Sequence, residues 1–233
     1  MSTPTAATLT TILLKEYGLR NTAIRGVQPI DPRRAVFSGR AVTVRYLPLR
    51  EDLLAAQSLS NPDATMHRLL DSLRPGDVVV MDGRGHDDNG LIGDIIGARM
   101  HSLGIAGVVM DGRVRDAGEI AGLGLPVQCR GASPPPSFVN LMISDIQLPI
   151  ACGGVSVFPG DQIVADGDGV TVVPAELWNK VGAAAIEQDR VERYIRLRVA
   201  AGEKLAGLYP PNETSKAAYA AWVARGEPAD KLV

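Results

Sequence analysis

The sequence predicts an α/β fold in a single compact domain with more than one sheet layer. Short apolar strands alternate with helical segments through the middle of the chain, while strands cluster without helices after residue 150. The composition supplies a core: 45% of the 233 residues are hydrophobic and the formal net charge is only -2, which argues against disorder. The chain is rich in turn formers, with 25 Gly and 16 Pro, and poor in rings, with 4% aromatic residues. The glycines lack a period of three, so the chain is not collagen-like.

The elements follow in order. Leu9, Ile12, Leu13 and Tyr17 recur at helical spacing and predict a helix over 6–18. Residues 40–46 alternate with period two and predict a strand. Residues 64–73 predict a helix that ends before Pro75. Two similar segments come next, Pro75-Gly76-Asp77 and Pro159-Gly160-Asp161, each a Pro-Gly turn leading into a short apolar strand. Two copies are too few for a repeat architecture, so they read as two similar turns in one sheet. A helix over 94–103, a strand over 104–110 ended by Asp111-Gly112, a short helix over 116–122 and a strand over 126–129 fill the middle. Pro134-Pro135-Pro136 predicts a rigid extended connector, and 153–157 a further strand. The longest helical candidate spans 175–206, followed by an extended tail from Gly207 and a short helix over 213–225.

Several function classes are disfavoured. Lys+Arg (24) is slightly below Asp+Glu (26), which leaves no electrostatic footprint for nucleic acid. Cys129 and Cys152 form neither a disulfide framework nor a zinc pattern. No Gly-X-Gly-X-X-Gly or Walker sequence suggests a nucleotide, and Ser144 and Ser156 lack a nucleophile-elbow context. The five lysines (Lys15, Lys180, Lys204, Lys216, Lys231) all lie outside the Gly-rich centre, which disfavours a Schiff-base mechanism. The N-terminus has no basic, apolar leader, and no stretch reaches the roughly 18 apolar residues of a membrane span. The expectation is a soluble cytoplasmic protein without membrane or nucleic-acid partners.

The chemistry concentrates at 82–118, a Gly-rich stretch carrying Asp82, His86, Asp87, Asp88, Asp94, Asp111, Arg113, Arg115, Asp116 and Glu119. Gly93-Asp94-Ile95-Ile96 reads as a helix start. Asp94 is either an N-cap there or part of an anion site on the free N–H groups of the first turn. Asp111-Gly112-Arg113-Val114-Arg115-Asp116 reads as a strand end presenting an Arg beside an Asp. An Arg can clamp a carboxylate or enolate oxygen, and an Asp can hold a hard cation through water. The plainer alternative is a surface Arg and another N-cap Asp. His86 is a possible proton carrier or a solvated loop residue.

The spacing Asp94, twenty residues, Arg115-Asp116 resembles the Asp-X20-Arg-Asp signature of the 4-hydroxy-4-methyl-2-oxoglutarate aldolases. These are class II pyruvate aldolases that share a fold with the regulator of ribonuclease activity A. The supporting context is Pro75-Gly76-Asp77-Val78, Gly107-Val108-Val109-Met110-Asp111-Gly112, 153–161 and 168–174, so the resemblance covers about residues 35–205. It implies a swivelling β/β/α fold with a C-terminal helical extension. The catalytic core with its N-terminal helix would span 1–174, and 175–233 would pack on a neighbouring subunit in a homotrimer or hexamer. It implies that Asp116 anchors Mg2+ or Mn2+ through waters and that Arg115 stabilises an enolate. Asp94 would orient both, and the N–H groups near Gly93, Asp94, Ile95 and Ile96 would hold the carboxylate of a small anionic 2-oxo acid. Glu192 of a neighbouring subunit, with Glu187 as rival, would complete the metal's water shell, although Glu192 and Arg196 also read as an ordinary i,i+4 pair.

The implied activity is divalent-metal-dependent retro-aldol cleavage of a 4-hydroxy-2-oxo acid to pyruvate and a carbonyl compound, with oxaloacetate decarboxylation alongside. The surface arginines Arg84, Arg99 and Arg113 suit an anionic substrate. Two alternatives remain: a related lyase or dehydratase acting on a sugar-acid-derived 2-oxo acid, and a non-enzymatic regulator that binds a ribonuclease. The long C-terminal helical segment favours the enzyme, because regulators of that type end soon after the last strand.

Overall fold

The computed structural model describes residues 3–227. The chain begins with α1 (Ala6–Tyr17), two short strands β1 (Ala23–Ile24) and β2 (Gln28–Pro29), and the long strand β3 (Phe37–Pro48). Next come α2 (Leu54–Gln57), α3 (Thr65–Ser72), β4 (Asp77–Gly90), α4 (Asp94–Ser102), β5 (Gly107–Arg113), α5 (Ala117–Leu123) and β6 (Val127–Cys129). Five strands then follow without an α-helix between them: β7 (Leu141–Ile146), β8 (Ile150–Cys152), β9 (Val155–Val157), β10 (Gln162–Ala165) and β11 (Val170–Val173). Helices α6 (Trp178–Ala200) and α7 (Glu213–Ala224) complete the described residues. Among those residues no helix is long and apolar enough to cross a membrane.

β3 is the hinge of the sheet. Its first residues pair antiparallel with β10, Arg40–Arg45 pair parallel with β4, and its far end pairs antiparallel with β7 across an irregularity at Arg45/Tyr46. The main sheet runs β1-β11-β10-β3-β4-β5-β6-β2, with β7 added on β3, and β8-β9 form a separate hairpin. β4 and β5 are parallel neighbours joined through α4. Strands in that position are covered on both faces, which is why Val78-Val79-Val80-Met81 and Val108-Val109-Met110 are continuous apolar runs with no exposed side chain. Val79, Met81, Val108 and Met110 face Met66 and Leu69 of α3, Met100 of α4 and Ile120 of α5. Val78, Val80 and Val109 face the other way, onto the β8-β9 hairpin and β10-β11. The result is a helix layer, a central sheet and a second β layer. A third cluster joins α1 and the first half of α6 to Val164 and Val173 within the same chain.

The Pro-Gly-Asp echo is one turn built twice. In each turn glycine takes a left-handed conformation, Gly76 at φ 84° and Gly160 at φ 93°. In each, the Asp carboxylate accepts the N–H two residues before the glycine, at 2.9 Å for Arg74 and Asp77 and 2.8 Å for Phe158 and Asp161. The turns deliver β4 and β10 to opposite sides of β3.

The structure corrects several expectations. Asp111-Gly112 do not end a strand, because β5 continues to Arg113. The polar stretch 82–90 is the outer half of β4, bent where Arg84 (φ 63°) and Gly85 (φ 66°) turn left-handed. β1, β2, β7, β8, β11 and the short helix α2 have no counterpart among the elements that the sequence pattern predicts. The 175–206 helix opens with a 3-10 turn at Ala175–Leu177 and stops at Ala200. The segment from Gly207 is not extended: Asn212 N donates to Gly207 O at 2.8 Å, and the reversal buries Leu208 beside Tyr194 and Trp222.

One close approach fixes how β3 meets β4. A Cβ on Gly39 would collide with the Gly76 carbonyl oxygen and lie 3.1 Å from Val78 Cγ2. Gly39→Ala is therefore expected to destabilise the protein by roughly 1–3 kcal/mol, read from the urea midpoint; an unchanged midpoint would show that this contact is slack.

Candidate active site

The site forms where the chain leaving β4 crosses the end of β5. β4 and β5 stay in register as far as Met81↔Met110, then shift to His86↔Gly112 and Gly90↔Arg113. Leu91 N donates to Arg113 O at 2.8 Å, and Arg115 N donates to Ile92 O at 2.8 Å. Gly90 N donates to Pro135 O at 2.9 Å, so the Pro-rich connector is held against β4. The crossing leaves no space for side chains. A Cβ on Gly90 would collide with Arg115 Cγ and lie 2.6 Å from Arg115 N, and one on Gly93 would lie 2.7 Å from Asp116 Oδ2.

Gly93, not Asp94, is the cap residue of α4, and Asp94 is its first helical residue. The first intrahelical bond runs from Gly97 N to Gly93 O at 2.9 Å. The N–H groups of Asp94, Ile95 and Ile96 thus have no backbone acceptor within the helix. Asp94 Oδ1 accepts Ile95 N at 2.8 Å, while Asp94 N points at Asp116 Oδ2 at 3.5 Å. Asp116 does occupy the cap position of α5, but its side chain makes no capping bond there. It adopts φ 53°, ψ 40°, and this left-handed turn directs the carboxylate to the start of α4. Asp tolerates that conformation better than most residues, yet it remains costly.

Arg115 directly precedes Asp116, and its Cβ and Cγ lie against Gly90. Its Nε is buried with no hydrogen-bond partner in the protein. The side chain lines a cavity of about 470 Å³ together with Gly90–Gly93 and Ile96. A buried guanidinium N–H without an acceptor carries a large desolvation cost, which an anion in the cavity would relieve.

The predicted residues Gly93, Asp94, Ile95, Ile96, Arg115 and Asp116 come together here. Of these, Gly93, Ile96 and Arg115 line the cavity, whereas Asp94, Asp116 and Ile95, which is 78% exposed, lie beside it. His86 does not line the cavity; its Nδ1 lies 3.9 Å from Asp88 Oδ2. Glu192 lies on α6, accepting from Gln188 at 3.0 Å, and Glu187 accepts from the Tyr219 hydroxyl at 2.7 Å and pairs with Arg190. None of Arg84, Arg99 and Arg113 lines the cavity. Arg113 instead joins Arg130 around Asp87, at 3.3 and 3.2 Å, and Arg130 also reaches Asp111 at 3.4 Å. The Arg130 hydrogen bond holds the Asp87 carboxyl below the usual carboxylate range, against a smaller opposing effect of burial. Sequence reasoning missed the opposite wall, which comes from Tyr46 and from Leu141, Met142 and Ile143 of β7. The apolar alternation of Leu141 and Ile143 was the available signal.

Asp94 and Asp116 offer hard oxygen donors, and no ion pair to either occurs among the described residues. No group of three His, Cys, Asp or Glu able to hold a metal occurs among them either. Such a donor set suits a hard divalent cation held mainly through water and does not suit zinc.

The family model described as Aldolase/RraA matches residues 5–172. The chain belongs to the RraA-like family. A Halalkalibacterium halodurans protein provisionally named 4-hydroxy-4-methyl-2-oxoglutarate aldolase is 45% identical over 100 residues, 43% of this chain and 47% of that protein. Legionella pneumophila protein DlpA is 29% identical over 167 residues, 72% of this chain and 26% of that protein. The chain thus spans about half or less of the length of these curated relatives. Among solved structures, Streptomyces coelicolor RraAS2, described as an unusual member of the RNase ES inhibitor RraA family, superposes with TM-score 0.73. It shares 32% identity, over 82% of this chain and 91% of that one. An uncharacterised Pseudomonas syringae protein gives TM-score 0.75 at 26% identity, covering 88% and 92%. The RraA-like chain therefore has the expected fold, a curled mixed sheet with helices and a C-terminal helical extension.

Two outcomes follow from this geometry. Asp116→Gly is expected to be more stable than Asp116→Ala by about 1 kcal/mol, because only glycine escapes the left-handed cost; equal urea midpoints would remove the strain argument. Asp87 is ionised and paired above its unfolded pKa of about 3.9, and this stabilisation is lost as pH falls through the lower folded value. Asp87→Asn should therefore have a lower thermal midpoint than the parent near pH 6, with the gap closing below about pH 4. A gap that persists in acid would assign the effect to something other than the ion pair.

Proposed function

We propose that this RraA-like chain is a metal-dependent lyase that cleaves a 4-hydroxy-2-oxo acid to pyruvate and a carbonyl compound. The observation that carries this reading is Arg115, which has a buried Nε without a hydrogen-bond partner and lines one cavity together with Gly93 and Ile96 at the start of α4. The first-turn N–H groups and the helix dipole suit the substrate's C1 carboxylate. Arg115 stands where charge develops on the C2 oxygen. In the cleavage the C4 hydroxyl loses its proton to solvent and the C3–C4 bond breaks. The electron pair becomes the pyruvate enolate, with its charge on the C2 oxygen against Arg115, and protonation at C3 then gives pyruvate. Decarboxylation of oxaloacetate produces the same enolate and should appear as a weaker side activity.

Asp116, positioned by its left-handed turn, and Asp94 would hold Mg2+ or Mn2+ through waters. When bound, the ion supplies Lewis acidity that adds to the charge of Arg115. Asp94 also fixes the α4 start through its bond to Ile95 N. In a trimeric or hexameric assembly, Glu192 of a neighbouring subunit would complete the water shell. Glu192 accepts a hydrogen bond from Gln188, whereas Glu187, the rival, is engaged by both the Tyr219 hydroxyl and Arg190.

The competing reading is a regulator that binds a ribonuclease, since Thermus RraA, described as an RNA-processing inhibitor, also superposes, with TM-score 0.53. That match covers 92% of the Thermus chain but 71% of this one. The additional helices here, and a cavity with an unsatisfied arginine, favour an enzyme.

The deciding experiment is pyruvate release from oxaloacetate and 4-hydroxy-2-oxo acids with and without chelator. Activity should disappear on chelation and return with Mg2+ or Mn2+; activity that survives full chelation overturns the metal-dependent mechanism. Arg115→Ala should lower kcat by about 10²–10³ in a folded protein, and an unchanged kcat would take the enolate role away from it.

A further inference from the structure

The cavity is strongly asymmetric. One wall carries Arg115 and the start of α4, and the others are neutral and mainly apolar. They are formed by Leu59, Met66, Phe138, Leu141, Met142 and Tyr46. Arg115 is the only charged side chain on the lining. Tyr46 stays neutral because burial pushes its phenol upward, and its hydroxyl donates to Leu91 O at 3.4 Å. At the mouth, Phe138 and Leu59 expose 58% and 54% of their surface. Large apolar side chains grouped around a cavity opening mark a binding surface.

This asymmetry bears on the part of the substrate beyond C4. A dicarboxylic 2-oxo acid anchored at Arg115 would place its second carboxylate among neutral walls without a counter-charge. An unpaired charge loses far more hydration there than the pocket returns. An alkyl or aryl group would instead replace water on apolar side chains, gaining with each methylene buried. The cavity volume of about 470 Å³ falls within the range of small-molecule sites, roughly 300–1,000 Å³. It leaves room for more than a three-carbon acid.

We infer that the substrate of this site is a 2-oxo acid with a single carboxylate, at the Arg115 end, and an apolar alkyl or aryl group on C4 that lies against β7 and Phe138. The 4-hydroxy part of that description rests on the lyase reading above. The polarity of the pocket does not.

The test measures binding and turnover separately. Calorimetry with the full chain in Mg2+ would compare pyruvate, 2-oxohexanoate, 2-oxooctanoate and 2-oxoglutarate. Affinity should rise about three- to fourfold per added methylene, and 2-oxoglutarate should bind about tenfold or more weakly than 2-oxohexanoate. Leu59→Lys, at an exposed position, and Met142→Lys should each narrow that gap by supplying a counter-charge. An affinity independent of chain length, as when a neighbouring subunit covers the apolar wall, overturns the inference. So does 2-oxoglutarate binding as tightly as 2-oxohexanoate. Turnover then separates the two readings. If the chain-length series holds but no pyruvate is released from 4-hydroxy-2-oxo acids with alkyl groups at C4, the pocket stands and the lyase falls. If pyruvate is released from alkyl and dicarboxylic substrates with equal kcat/KM, the lyase stands and the apolar specificity falls.

Discussion

The architecture depends on a backbone crossing in which Gly90 and Gly93 pass over Arg115 and Asp116 with no room for a Cβ on either glycine. Two hydrogen bonds, Leu91 N to Arg113 O and Arg115 N to Ile92 O, lock the two segments together. Because these are main-chain bonds, the position of Arg115 follows from the sheet rather than from flexible side-chain contacts. The same crossing sets where α4 starts, and hence where the N–H groups of its first turn point. A helix start, an arginine and an aspartate from different elements are brought together by a single steric requirement.

The surroundings divide the charged groups into two sets. Asp87, Asp111, Arg113 and Arg130 neutralise one another around the outer half of β4. Asp111 also accepts Gly153 N at 3.0 Å, which ties the β8-β9 hairpin to the central sheet. These groups are held by ion pairs that serve the fold, although Arg113 Nε, 3.3 Å from Asp87 Oδ1, is buried without a hydrogen bond. Arg115 Nε is likewise buried without a hydrogen bond, but Arg115 forms no ion pair among the described residues and its side chain lines the cavity. Buried polar groups are usually paired, so the lack of a carboxylate partner is what separates Arg115 from Arg113 and Arg130.

Much of the site was legible because its polar members sit at the ends of regular elements. Gly93-Asp94 opens a helix and Arg115-Asp116 follows a strand, and the chain signals such boundaries with glycine and short acidic residues. The one-residue error at the α4 cap reflects a competition the sequence does not resolve. Asp94 is a good capping residue, but Gly93 is required at the crossing, so the helix starts between them. The outer half of β4 was opaque for another reason. Residues 82–90 have no apolar alternation, and they are extended because β5 and the Pro134–Pro136 segment lie alongside to accept and donate their hydrogen bonds.

The sequence by itself determined the α/β class, the apolar strands β4 and β5, the boundaries of α1 and α4, the twin Pro-Gly-Asp turns and the polar half of the site. Each of these is encoded locally, by periodicity, by the φ that glycine permits or by the spacing of charged residues. Tertiary structure alone decided that Arg115 lines the cavity without an ion pair, that the Asp116 carboxylate turns away from its own helix towards α4, and that β7 and Tyr46 supply an apolar wall opposite Arg115. Those properties depend on which distant segments arrive at the same place, and no local pattern in a single chain specifies its neighbours across the sheet.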